Sequence, residues 1–204
     1  MSTALQPPSA PAQPAAPQPA APQPAPAPSG AAAPAPESPR PRFAVGRAPA
    51  RPTPAAAFHS ISAVTSVLLG LVGIGAMIHE PVLIPPLAAS AALVHSAPTL
   101  PLAQPRSVVV GHLLGAAVGY GVLAAAGGSA WAAAVAAGVT LALLMAARTP
   151  HSAACATAVV VVLQNPAPDR FVPLLFGATV LLVLTGYAAS RVRRKAPKYP
   201  AYWW

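Results

Sequence analysis

The stretch from Arg148 to Leu163 constrains the fold of this chain more than any other. It reads Arg-Thr-Pro-His-Ser-Ala-Ala-Cys-Ala-Thr-Ala, then Val159 to Val162 and Leu163, and it follows an apolar run of about membrane length. A cation, a helix-breaking proline and a histidine are followed by about a dozen small and β-branched residues, too few for an ordinary spanning helix. A polar break leading into a short helix inside a hydrophobic bundle is where membrane proteins tend to place a binding site. Pro81 to His95, interrupted by Pro85-Pro86, reads as a weaker copy of the same element. The two are expected to face each other across a small bundle.

The remaining apolar runs supply that bundle. Ser60 to Ile78, Ser107 to Ala126, Ala130 to Ala147 and Phe171 to Ser190 each approach the roughly twenty residues that one crossing needs. Gly70, Gly73 and Gly75 in the first run are expected to let a neighbouring helix approach closely, and the second run carries Gly111, His112, Gly115, Gly119 and Tyr120. The whole chain is 55% hydrophobic and only 7% charged. A soluble domain carries about a quarter charged residues, so this composition could not cover a surface facing water.

Residues 1–57 differ. Proline recurs there every two or three residues among Ala and Gln, so neither a helix nor a sheet ladder can propagate. The expectation is a disordered tail, followed by a transmembrane domain over 58–190 and a basic, aromatic interfacial tail over 191–204. The tail lacks the short apolar core and cleavage site of a signal peptide.

The formal net charge is +9. The basic residues cluster in the tails and at the ends of apolar runs, which marks membrane orientation and argues against nucleic acid as a partner. The single cysteine, Cys155, excludes an internal disulfide.

A shift of 67 positions places Ala89-Ser90-Ala91 on Ala156-Thr157-Ala158 and Pro85-Pro86 on Ser152-Ala153. The fold class is therefore all-α: a polytopic helical membrane bundle of two repeats, each a long helix, a broken short helix and a long helix. The chain makes four crossings if the broken segments only dip in and return, and six if they traverse. Six crossings put the N-terminal arginines, Arg106, Arg148 and the basic C-terminus on one side, with Glu80 and Asp169 on the other, so charge placement favours six. Both termini are then cytoplasmic, in a cell (inner) membrane.

The segments Leu83-Ile84-Pro85-Pro86-Leu87-Ala88-Ala89-Ser90-Ala91, Pro101-Leu102-Ala103-Gln104-Pro105-Arg106 and Gly111-His112-Leu113-Leu114 resemble the HPP family of integral membrane proteins. Arg148-Thr149-Pro150-His151 and the ending Tyr199-Pro200 to Tyr202-Trp203 are similar to further segments of that family. The family's His-Pro-Pro is His151-Ser152-Ala153 here, so the histidine stays and both prolines are replaced. The resemblance implies a four-span protein, and plant members' association with nitrite transport makes nitrite the leading substrate.

Short helices starting near Pro86 and Ser152 are expected to aim backbone N–H groups into the bundle, a natural anion cradle. Arg148, His151, Arg106 and His112 stand near these starts, and Ser90 and Thr157 follow one or two turns later. The candidate anion-binding set is thus Arg148, His151, Ser152, Thr157, Pro85, Pro86, Ser90, Arg106 and His112. The plainer reading makes the two arginines interfacial anchors and lets Ser90 and Thr157 bond back to their own helices.

Proton coupling through histidine with Glu80, His79 or Asp169 is the second candidate. A metal site from His79, His95, His112 and His151 is not expected, nor are a cofactor or enzymatic activity, since no phosphate loop or nucleophile–base pattern occurs. The expected partners are a small anion, the lipid bilayer and further copies in a homo-oligomer. The rival reading is a membrane scaffold or sensor partner that works through its Pro-rich tail.

Overall fold

A helix can start only where its first N–H groups find acceptors or are missing, and this chain uses proline for that purpose repeatedly. The computed structural model describes residues 50–192 and 198–203. It contains α1 (Pro54–Ile78), α2 (Pro85–Ser96), α3 (Pro105–Ala126), α4 (Ala130–Ala146), α5 (Ser152–Gln164) and α6 (Pro168–Val192). A 3-10 turn at Pro101–Ala103 precedes α3, and every regular element among the described residues is helical. Proline stands in the first turn of α1, α2 and α3.

The helix α1 begins earlier than the sequence predicts. The Thr53 hydroxyl accepts from the Ala56 N–H, which puts residues 54–57 inside the helix and not in the tail. Residues 1–49, the bulk of the expected disordered tail, lie outside the described residues, as do Arg193, Arg194, Lys195 and Trp204 of the basic tail. Tyr199, expected at the interface, is instead buried: its hydroxyl donates to the Ala103 carbonyl at 2.9 Å.

Polar contacts sort the helix ends into two groups. At one end, the Ser60 hydroxyl at the start of α1 donates to the His95 carbonyl at the end of α2. Arg106 at the start of α3 donates to the Ala147 carbonyl just past α4. At the other end, Tyr120 near the end of α3 reaches the Pro166 carbonyl between α5 and α6, and Arg170 in α6 pairs with Glu80 after α1 at 2.6 Å. Chain direction therefore reverses at every connection. Arg51, Arg106, Arg148 and Arg191 share one end, while Glu80 and Asp169 occupy the other. Arg170, the cation at the acidic end, is matched by its pairing with Glu80.

The principal helix contacts obey the repeat. Helix α1 packs on α2 as α4 packs on α5; α2 packs on α6 as α5 packs on α3; α1 packs on α6 as α4 packs on α3. The contacts α2–α5 and α3–α6 map onto themselves. Exchanging the two halves thus reproduces the architecture that the 67-position shift implies.

Helices α1, α3 and α6 are long and apolar enough to cross a membrane by themselves. At about 1.5 Å per residue, the 12 residues of α2 and 13 of α5 span only about 20 Å, less than the hydrocarbon thickness. Non-helical leads, 81–84 and 149–151, precede them. Irregular backbone at membrane depth is tolerated only where protein covers it, and Val82, Ile84, Thr149 and His151 are accordingly buried. The outward surface carries Leu69, Met77, Trp131, Val135, Met145 and Leu184, which suits lipid.

The Glu80–Arg170 pair is largely open to solvent on the arginine side, where the side chain is 69% exposed. Glu80→Gln is therefore expected to lower thermal stability by less than about 1 kcal/mol. A melting curve in detergent shifted far beyond that would show that the pair does more than balance charge.

Candidate functional site

The break between α4 and α5 is built from backbone. After Leu144, the Thr149 N–H bonds the Leu144 carbonyl at 3.0 Å and the Arg148 N–H bonds the Met145 carbonyl at 3.2 Å. This is the Schellman closure of a helix, with Arg148 left-handed at φ 54° in the position glycine usually takes. Arg148 is consequently thrown to the outside, and the chain returns inward through buried Thr149 to His151, the N-cap residue of α5.

His151 is 1% exposed and His112, on α3, is 0% exposed. Their rings meet edge to face at 4.8 Å between centroids. Glycine permits this approach: a Cβ on Gly111 would stand 3.0 Å from the His151 Cβ. One turn on, a Cβ on Gly115 would collide with the Ala154 carbonyl oxygen. Together with Gly119 these residues form the α3 stripe on which α5 lies.

Ser90 of α2 closes the cluster. Its Oγ is 2.8 Å from His112 Nε2 and 2.9 Å from His151 Nε2, and the two Nε2 atoms are 3.2 Å apart. On the outer sides of the rings, His112 Nδ1 is 2.7 Å from Thr157 Oγ1, and His151 Nδ1–H donates to the Leu102 carbonyl at 2.7 Å. Ser90 and Thr157 are both fully buried. Four side chains from α2, α3 and α5 thus form one continuous array, enclosed by the apolar bundle.

Of the nine sequence-predicted residues, Ser90, His112, His151 and Thr157 come together. Ser90 and Thr157 also reach back to the carbonyls of Pro86 and Ala153, at 3.0 and 3.4 Å, as the plainer reading predicts. Arg148 and Ser152 are exposed near the basic end, and Arg106 stands half-buried against α4. Pro85 is exposed and Pro86 buried. Neither proline has an N–H, and the Leu87 N–H is taken by the Ile84 carbonyl, so α2 does not offer the backbone donors expected at its start. At α5, Ser152 and Ala153 keep N–H groups that no preceding helical carbonyl can reach, whereas the Ala154 N–H bonds the His151 carbonyl. Of the histidines weighed together as metal ligands, only His112 and His151 meet. His95 lies beside Thr185, and His79 caps the end of α1.

Sequence reasoning missed the loop that holds His151. Leu102 supplies the carbonyl, Ala103 receives the Tyr199 hydroxyl, and Gln104 is fully buried. The Gln104 amide donates to the carbonyls of Pro98 and Leu100, and its oxygen accepts from the N–H groups of Ala201 and Tyr202. The available signal was a glutamine between two prolines at the mouth of an apolar bundle, where an amide must satisfy the carbonyls that prolines leave open.

Two curated relatives carry similar sequence. One transmembrane protein of Dictyostelium discoideum is 36% identical over 132 residues, which cover 60% of this chain and 46% of that protein. Another from the same organism is 34% identical over 126 residues, covering 57% of this chain and 40% of the relative. The chain thus spans less than half the length of these relatives. No solved structure matches it. The family model described as "HPP, transmembrane region" matches residues 49–200, the segment that holds all six helices and every member of the buried array, and the chain therefore belongs to the HPP family of transmembrane proteins.

Proposed function

We propose that this membrane protein carries a small monovalent anion, with nitrite the leading candidate, through its bundle. The single observation behind this reading is the convergence of Ser90, His112 and His151 from three helices at one buried point. Polar side chains are expensive inside a membrane and usually mark a path for ions or protons. The start of α5 adds its positive dipole end, and Arg148 and Arg106 stand near the same end of the bundle. In this reading the arginines gather anions at the mouth, and inside, Ser90 and the histidines exchange their mutual hydrogen bonds for bonds to the anion. By the positive-inside rule, the basic end faces the cytoplasm.

Two variants test the roles separately. Nitrite uptake into proteoliposomes should fall by about tenfold or more in His151→Ala, as expected when a buried polar array loses a member. Arg148→Gly keeps the helix stop, because glycine is at ease at positive φ, and removes only the charge. Its uptake should fall about two- to fivefold at low salt and converge on wild type at high salt. Wild-type uptake no faster than that of protein-free vesicles would sink the proposal.

A further inference from the structure

The protons of the buried array can be assigned by elimination. A carbonyl only accepts, so the proton of His151 lies on Nδ1 and its Nε2 is an acceptor when the ring is neutral. If His112 also carried its proton on Nδ1, two Nε2 lone pairs would face each other at 3.2 Å with one serine proton between them. Two arrangements remain and share the same ring protons. In one, His112 Nε2–H donates straight to His151 Nε2 while Ser90 donates to the Pro86 carbonyl. The other, which uses the shorter contacts, runs in one direction through Ser90. Thr157 donates to His112 Nδ1, His112 Nε2–H donates to Ser90 Oγ, Ser90 donates to His151 Nε2, and His151 Nδ1–H donates to Leu102.

The same heavy atoms fit one more proton. When His151 Nε2 is protonated, Ser90 can turn its hydroxyl to the Pro86 carbonyl, 3.0 Å away. Its oxygen then accepts from both histidines at the existing distances of 2.8 and 2.9 Å. Thus a rotation of one hydroxyl converts the neutral array to a cationic one.

The groups on the two rings are Ser90 from α2, Thr157 from α5 and the Leu102 carbonyl from the loop; Cys155 on α5 is half-buried. The charged groups of the packed elements stand at helix ends: Arg106, Arg148 and Arg191 at one, Asp169 and Arg170 at the other. Apart from the positive end of α5, an anion at the array would therefore meet no opposite charge unless the array itself became positive, and an uncompensated buried charge is heavily penalised.

We propose that the array takes up one proton with each anion, making the protein a proton–anion symporter; this rests on the anion-carrier reading above. The step balances simply. The anion and a proton enter from the same solution, the proton occupies the His151 Nε2 lone pair, and the loaded site is neutral overall. Both leave on the far side, and no electron moves.

Proteoliposomes holding a pH-sensitive dye test this, with the membrane voltage clamped and protein-free vesicles subtracted. An inward nitrite gradient should acidify the lumen of wild-type vesicles in step with nitrite uptake. Ser90→Ala, which keeps both histidines, and His151→Gln should each reduce the coupled acidification by about tenfold or more. Ser90→Ala gives the decisive reading if His151→Gln fails to fold. Nitrite uptake without acidification overturns the symport and leaves the carrier standing. Absence of nitrite uptake overturns the carrier. Coupled acidification that is unchanged in well-folded Ser90→Ala overturns the assignment to this array.

Discussion

The Gln104→Leu protein is expected to lose on the order of 3 kcal/mol of stability, because its partners keep their polar groups and lose their bonds. Leucine fills a similar volume, so the loss isolates the amide. Two carbonyls, of Pro98 and Leu100, and two N–H groups, of Ala201 and Tyr202, all meet that amide. Four orphaned groups would cost about 1–3 kcal/mol each if fully buried, and because these contacts are only part-buried, water recovers much of that and leaves a loss of about 3 kcal/mol. The measurement is the fraction of protein that stays monodisperse after heating in detergent. A curve overlying wild type would show that the amide bonds are replaceable by solvent.

Gly115→Val is expected to be worse for assembly than for helix formation. Helix α3 itself tolerates valine, but the new side chain enters the space of the Ala154 carbonyl, part of the α5 backbone. A flexible side chain could yield; a helix carbonyl cannot without moving the helix. Overpacking of this kind costs about 1–3 kcal/mol, and more where the obstacle is backbone. Helix α5 carries His151 and Thr157, so displacing it should also break the array. The check pairs membrane abundance with nitrite uptake: Gly121→Val, where the glycine faces open space, serves as the matched control. Equal abundance and uptake in the two variants would refute the close-packing account.

Much of the fold was legible because its signals are local. Proline starts helices, and Pro85-Pro86 and Pro150 flag both breaks. The repeat at 67 positions marked two halves of long, short and long helix, and the helix contacts follow that division. Within the site, Ser90, His112, His151 and Thr157 were legible as polar residues stranded in apolar runs. The arginines misled because a cation beside a break reads the same whether it points in or out. Only the left-handed turn at Arg148, set by the Schellman closure, sends it outward. The donors expected at the start of α2 failed for a covalent reason, since the prolines that begin the helix remove them. The Leu102 carbonyl that orients His151 had no sequence signal at all, because every residue owns one.

The loop of residues 102–104 has a practical consequence. One residue orients a buried histidine, and the next two hold the segment of Tyr199, Ala201 and Tyr202. A fluorescent protein or affinity handle fused behind Tyr202 would hang its drag on that same loop. A handle placed ahead of Thr53 meets α1 at a cap that serves only its own helix. Reporter fusions should therefore be built at the front of this chain, and a dead C-terminal fusion should not be read as a dead protein.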